Sequence, residues 1–146
     1  MPTPTRPTAP TQTTQTTQTT QPADGSPPSL NLAVLAGTLI AEPVISELST
    51  GEIVASLSVR STDAKGRKCS SPVRWVDPGR AVHRLHADQD VVIIGRVVRR
   101  FFRSGGQVIS RTEIVASNVL RPSQKVTRIR ALESAAGAII DFVGSN

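Results

Sequence analysis

Four arginines and two phenylalanines crowd into eight residues of this chain, Arg96, Arg99, Arg100, Phe101, Phe102 and Arg103, with no acid among them. Guanidinium groups neutralise phosphates, and an aromatic ring gives an unstacked base a flat surface. The stretch opens on Val91, Val92, Ile93 and Ile94, a β-branched run of the kind that forms a buried strand. It closes on the turn signal Ser104, Gly105, Gly106. The two-residue period of a strand puts Arg96, Arg100 and Phe102 on one face and Val97, Arg99 and Phe101 on the other. Cations and a ring on one face imply a sheet that holds single-stranded nucleic acid. Arg99, Phe101 and the tip residue Arg103 join that surface if the hairpin twists or wraps the strand.

The elements that must position these residues can be read around them. Leu32, Val34 and Ala36 alternate with their neighbours up to Gly37, which predicts a strand that bends at its glycine. Pro43 interrupts, residues 44–48 suggest a second short strand, and Ser49, Thr50 and Gly51 signal a turn. Ile53, Ala55, Leu57 and Val59 then alternate with Val54, Ser56, Ser58 and Arg60, giving a half-buried strand. Residues 61–70 are polar and predict a hairpin loop carrying Lys65, Arg67 and Lys68. A short strand follows over residues 73–76, and Ala81, Val82 and Leu85 have the spacing of a short helix over residues 80–86. The long strand 91–102 turns at Gly105 and Gly106 and returns over residues 107–119 as its antiparallel partner. Strand, strand, strand, helix, strand, strand is the order of an all-β OB fold, a five-stranded Greek-key barrel with one short helix.

Residues 30–122 are therefore expected to form one barrel domain. Residues 1–29 are Thr-, Gln- and Pro-rich, with Gln12, Gln15, Gln18 and Gln21 at every third position. Such a tail buries nothing against its chain entropy and is expected to be disordered. Residues 123–146 form a C-terminal extension in which Val126, Ile129, Leu132, Ala136, Ile139 and Ile140 have helical spacing. A helix there docks on a partner, caps its own domain, or stays mobile, and the spacing does not choose.

The chain of 146 residues carries a formal net charge of +6. Residues 30–122 hold 13 Lys and Arg against 8 Asp and Glu, so the basic balance belongs to the expected domain. It suits a polyanionic partner, although a merely soluble cationic surface explains it equally. The single cysteine, Cys69, cannot form an intrachain disulfide, and without a neighbouring His or second Cys it makes no metal motif. His83 and His86 are three apart on the short helix but lack a third ligand nearby, so they read as surface histidines. No nucleophile–base pair, phosphate loop or metal cluster is visible, so neither an enzyme nor a cofactor or metal is expected. No signal peptide or membrane-spanning stretch is apparent, which leads to the expectation of a cytoplasmic, nucleoid-associated protein.

Four blocks, in order, resemble the bacterial single-stranded DNA-binding protein (SSB) family. They are Asn31 to Leu39 with Gly37 near its end, Pro43 followed by Ser49, Thr50 and Gly51 and then Val54 to Val59, Val91 to Arg96, and Arg111 to Val119. The resemblance implies an OB fold that binds single-stranded DNA in replication, recombination or repair, and a homo-oligomer, a dimer or tetramer, with an edge at the first strand. Residue by residue, it places Arg74 on a third-strand arginine that lies along DNA and Phe102 on an aromatic that stacks on a base. Arg96, Arg99, Arg100, Phe101, Arg103, Arg60, Lys65, Arg67 and Lys68 complete the expected DNA-binding set. Three other aromatic platforms of the family fall on Pro72, Pro78 and, approximately, Lys65. The family's acidic C-terminal tip, which recruits other replication and repair proteins, is missing from this sequence.

Some of these residues also carry simpler readings. Trp75 alternates with Arg74 and should enter the barrel as core. Glu113 should pair with an arginine rather than act as an acid catalyst. Lys65, Arg67 and Lys68 read equally as a solvated loop or as an arm closing on phosphates. The lost platforms also fit a second function: an OB-fold interaction protein, related to the primosomal replication protein N family, with weak DNA affinity.

Overall fold

The computed structural model describes residues 29–145. The Thr/Gln tail expected to be disordered lies outside them but for its last residue. Six strands form one sheet: β1 (Ala33–Leu39), β2 (Val44–Glu47), β3 (Ile53–Thr62), β4 (Lys68–Val76), β5 (Asp90–Ser104) and β6 (Gln107–Leu120). A 3₁₀ helix, Gly79–Arg84, separates β4 from β5, and α1 (Lys125–Gly144) follows β6.

The sheet order is β1-β5-β6-β4-β3-β2, and a further pairing of β1 with β3 closes it. Thr38 lies opposite Arg60 and Leu39 opposite Val59, on the same side of β3 that pairs β2. β1 and β2 thus act as one strand broken at Pro43, and the barrel is five-stranded. Parallel pairing of β4 with β6 completes the ring. This is the OB fold.

The glycine in β1 has a steric cause. A Cβ on Gly37 would run into the Arg60 carbonyl oxygen and lie 2.9 Å from Val59 Cγ1, so only glycine lets β1 cross β3 this closely. Leu39, Leu57, Val59, Val73, Leu85, Val91, Ile93, Ala116 and Val119 fill the interior. Leu39, Val59 and Ile93 are fully buried, and each such side chain contributes about 1.5–3 kcal/mol of transfer free energy. Trp75 packs against this cluster, on the side that alternation with Arg74 assigns it.

Two elements differ from the sequence expectation. The polar hairpin loop predicted over residues 61–70 is half strand: Ser61 pairs Cys69 and Thr62 pairs Lys68, so the loop is confined to residues 63–67. Backbone pairing, indifferent to side-chain polarity, carries both strands past the edge of the hydrophobic pattern. The predicted helix 80–86 is a 3₁₀ helix ending at Arg84, so that Leu85, extended, can reach the core.

Candidate nucleic-acid interface

The longest strands build the candidate site. β5 and β6 run 15 and 14 residues, but β6 pairs β4 only over residues 114–116. Beyond that point, among the described residues, the two strands pair only with each other and form a ribbon. Its turn places Gly105 at φ 57° and Gly106 at φ 80°, which is left-handed backbone suited to a two-residue hairpin. At the ribbon's base the Asn31 side chain both donates to the Val97 carbonyl and accepts from the Val97 amide, each at 2.8 Å. That amide extends the β1–β5 ladder beyond the last backbone pair, Ala33 with Gly95.

Register sorts the ribbon's side chains. Arg96 lies opposite Val115, Val98 opposite Glu113, Arg100 opposite Arg111 and Phe102 opposite Ile109, all on the outer face. Arg74 of β4 also lies beside Val115, and Ser56 of β3 lies beside Arg74. One cross-sheet row therefore reads Arg96, Val115, Arg74, Ser56, with the two arginines two strands and about 10 Å apart. The Arg100–Arg111 row lies four residues, about 13 Å, further toward the tip.

Arg74, Arg100, Phe102, Arg111 and Glu113 line one groove of about 280 Å³, with Ser46 and Ser56 among its walls. Phe102 is 46 % exposed, so its ring is outside the barrel and accessible. Two acids temper the cations. Glu113 lies 3.4 Å from Arg100 and Glu52 lies 3.6 Å from Arg74. The Arg74 side chain is only 14 % exposed, and its buried Nε has no hydrogen-bond partner among the described residues. Arg74 is thus a groove-wall cation rather than a free arm. Arg96 and Arg111 are exposed, without an ion pair among the described residues.

The remaining expected residues lie elsewhere. Arg99, Phe101 and Arg103 occupy the ribbon's other face. There Arg99 donates to Ser110 Oγ at 2.8 Å and lies 5.2 Å from the Phe101 ring centre. Arg60 stays on the outer face of β3, opposite Ser70. Lys65 and Arg67 belong to the β3–β4 loop, with Lys68 just inside β4. That loop is organised by Asp63, which accepts from the amides of Lys65 and Arg67 and lies 2.8 Å from Arg67 Nε. The hydrogen bonds from Arg67, backbone first and then side chain, hold the Asp63 carboxyl below its usual range.

Sequence reasoning missed Arg111 as a groove residue. The signal was present: a two-residue turn at Gly105 and Gly106 sets Ser104 opposite Gln107 and so Arg100 opposite Arg111. Glu113 pairs with an arginine, as its place within a strand suggests.

Among the described residues no three His, Cys, Asp or Glu side chains are grouped to hold a metal ion, and no helix is long and apolar enough to cross a membrane. No protein-family model and no curated protein matches the sequence. Among solved structures, the Plasmodium falciparum SSB in complex with ssDNA superposes with a TM-score of 0.56 at 21 % identity, over 64 % of this chain and 95 % of that one. At this identity the likeness is one of fold: the barrel described above is built as the barrel of that SSB is.

Proposed function

We propose that this chain binds single-stranded DNA, with little sequence preference, on the outer face of its barrel. The observation that carries the reading is the convergence of Arg74, Arg100, Arg111 and Phe102 on one groove, with Arg96 on the same face. The phosphate backbone tracks along the guanidinium rows while Phe102 stacks on a base, and every base has a π-face for it to meet. The solved SSB of like fold is a complex with ssDNA, which supports the same partner here. The chain is read as a divergent member of the bacterial SSB family, homo-oligomeric, non-enzymatic and cytoplasmic, working in replication, recombination or repair.

The single ring in the groove, Phe102, limits the stacking term, since the positions of the other platforms hold Pro72, Pro78 and Lys65. Each lost platform forgoes about 1–3 kcal/mol. Affinity should therefore be dominated by phosphate contacts and fall steeply with salt. Three or four phosphate contacts on a single strand correspond to a log–log salt slope of about −2 to −3. Titrating labelled oligo-dT at two salt concentrations tests this. Binding with such a slope is expected, and no binding at low salt overturns it.

The ion pairs Glu52–Arg74 and Glu113–Arg100 favour a second reading, in which the fold is kept for protein contacts and DNA affinity is residual, as in a relative of primosomal replication protein N. Low-salt binding weaker than millimolar would select it.

A further inference from the structure

Helix α1 rests on the barrel by its small residues. Thr127, Ala131, Ser134, Ala135 and Ala138 face a shallow cavity beside Leu32 and Ile94, and Ala135 is the helix's only buried residue. Its large aliphatic side chains point away. Val126, Ile129, Leu132, Ile139, Ile140 and Val143 are each between 39 % and 69 % exposed. At about 100° per residue this stripe is centred well over a quarter-turn from the barrel contact, so packing on the barrel cannot cover it.

The stripe's spacing and its flanking charges identify its occupant. Ile129, Leu132, Ala136, Ile139 and Val143 follow one another at intervals of three, four, three and four. That is the a and d pattern of a seam between two like helices. In this frame Arg128 is a g position and Glu133 is the e position of the next heptad. In a parallel pair, g of one helix meets that e of the other, so Arg128 of each copy faces Glu133 of the second copy. An antiparallel pair sets g beside g and e beside e. The g set is Arg128, Ala135 and Phe142 and the e set is Val126, Glu133 and Ile140, so neither charge would meet its opposite.

We propose that α1 is a dimerisation helix whose outward stripe packs in parallel against the same stripe of a second copy of this chain. Ala136 at the centre lets the two backbones approach closely. Two heptads are short for an isolated coiled coil, but here the helix is already laid on a barrel, so less ordering is left for association. The surface is separate from the DNA groove, and at its margin Arg128 also lines a cavity with Ala36 and Gly37 of the first strand.

The full-length chain tests this in a Cys69→Ser background, because Cys69 is exposed and would cross-link. Leu132→Cys sits at a d position, meets itself across a parallel seam and should give a disulfide-linked dimer on mild oxidation. Asp141→Cys, on the far side of the helix, should not. By light scattering, Ile139→Glu should halve the mass of the assembly. Arg128→Glu should raise the concentration at which it dissociates, and adding Glu133→Arg should restore it. A wild-type mass in Ile139→Glu overturns the proposal, whether the stripe folds back on its own barrel or serves a different protein. A halved mass without the Leu132→Cys cross-link overturns the parallel arrangement.

Discussion

The two faces of the β5–β6 ribbon are built from the same residue types yet sit in different surroundings. The outer face carries Arg96, Arg100 and Phe102, with Arg111 and Glu113 opposite; the other carries Arg99, Phe101 and Arg103, with Ser110 and Thr112 opposite. The outer face is continued by Arg74 and Ser56 from β4 and β3, which turns a flat ribbon into one wall of a groove. The other face is continuous with the barrel interior only as far as Ile114, beyond which no third strand backs it among the described residues. Its Phe101 is 66 % exposed and has Arg99 for a neighbour rather than a groove. Composition makes a cation; the neighbouring strands decide whether it belongs to a site.

The sharpest way to break the comparison is to reverse charge on one face at a time. Arg100→Glu with Arg111→Glu removes two cations of one row and adds two anions beside Glu113. Affinity for oligo-dT at low salt should fall by about 100-fold or more, since charge-assisted contacts contribute about 1.5–3 kcal/mol each. Arg99→Glu with Arg103→Glu makes the same change in net charge on the other face. It should cost about tenfold or less, through the general field alone. Equal losses in fluorescence anisotropy would show that the ribbon acts as an undirected cationic arm.

The aromatics give a smaller contrast. Phe102→Ala should weaken binding by about tenfold, the lower half of the range for one stacked base, with the salt slope unchanged. Phe101→Ala should change it less than twofold. A Phe101 effect as large as that of Phe102 would mean that the strand wraps the tip and the two faces form one site.

The contrast was half legible in the sequence, and the reason is the range of each contact. Alternation along β5 is local, so the split between Phe101 and Phe102 can be read from order alone. The facing of Arg100 and Arg111 needs only the turn length. The Arg96–Arg74 row depends on the parallel pairing of β4 with β6, a contact distant in sequence that no local pattern announces. Nor does any local rule tell that Arg67 is engaged by Asp63, because a charged hairpin reads the same whether it is tied or loose. For α1, periodicity gives the apolar stripe, but the side laid on the barrel is set by the small space beside Ile94, which only the folded sheet defines.

The smallest expected effect concerns the acid that only one face has. Glu113 is 12 % exposed and lies 3.4 Å from Arg100, so a phosphate arriving at Arg100 must compete with a carboxylate already there. Arg99 on the other face is held by a neutral hydroxyl, Ser110. Glu113→Gln keeps the shape and removes the charge. It should tighten oligo-dT binding by about two- to fivefold, in line with an ion pair of about 0.2–1 kcal/mol, and make the salt slope steeper. Ser110→Ala should leave both quantities unchanged. If Glu113→Gln instead weakens binding, the carboxylate serves to aim Arg100 rather than to compete for it, and the groove is assembled by its ion pairs before the nucleic acid arrives.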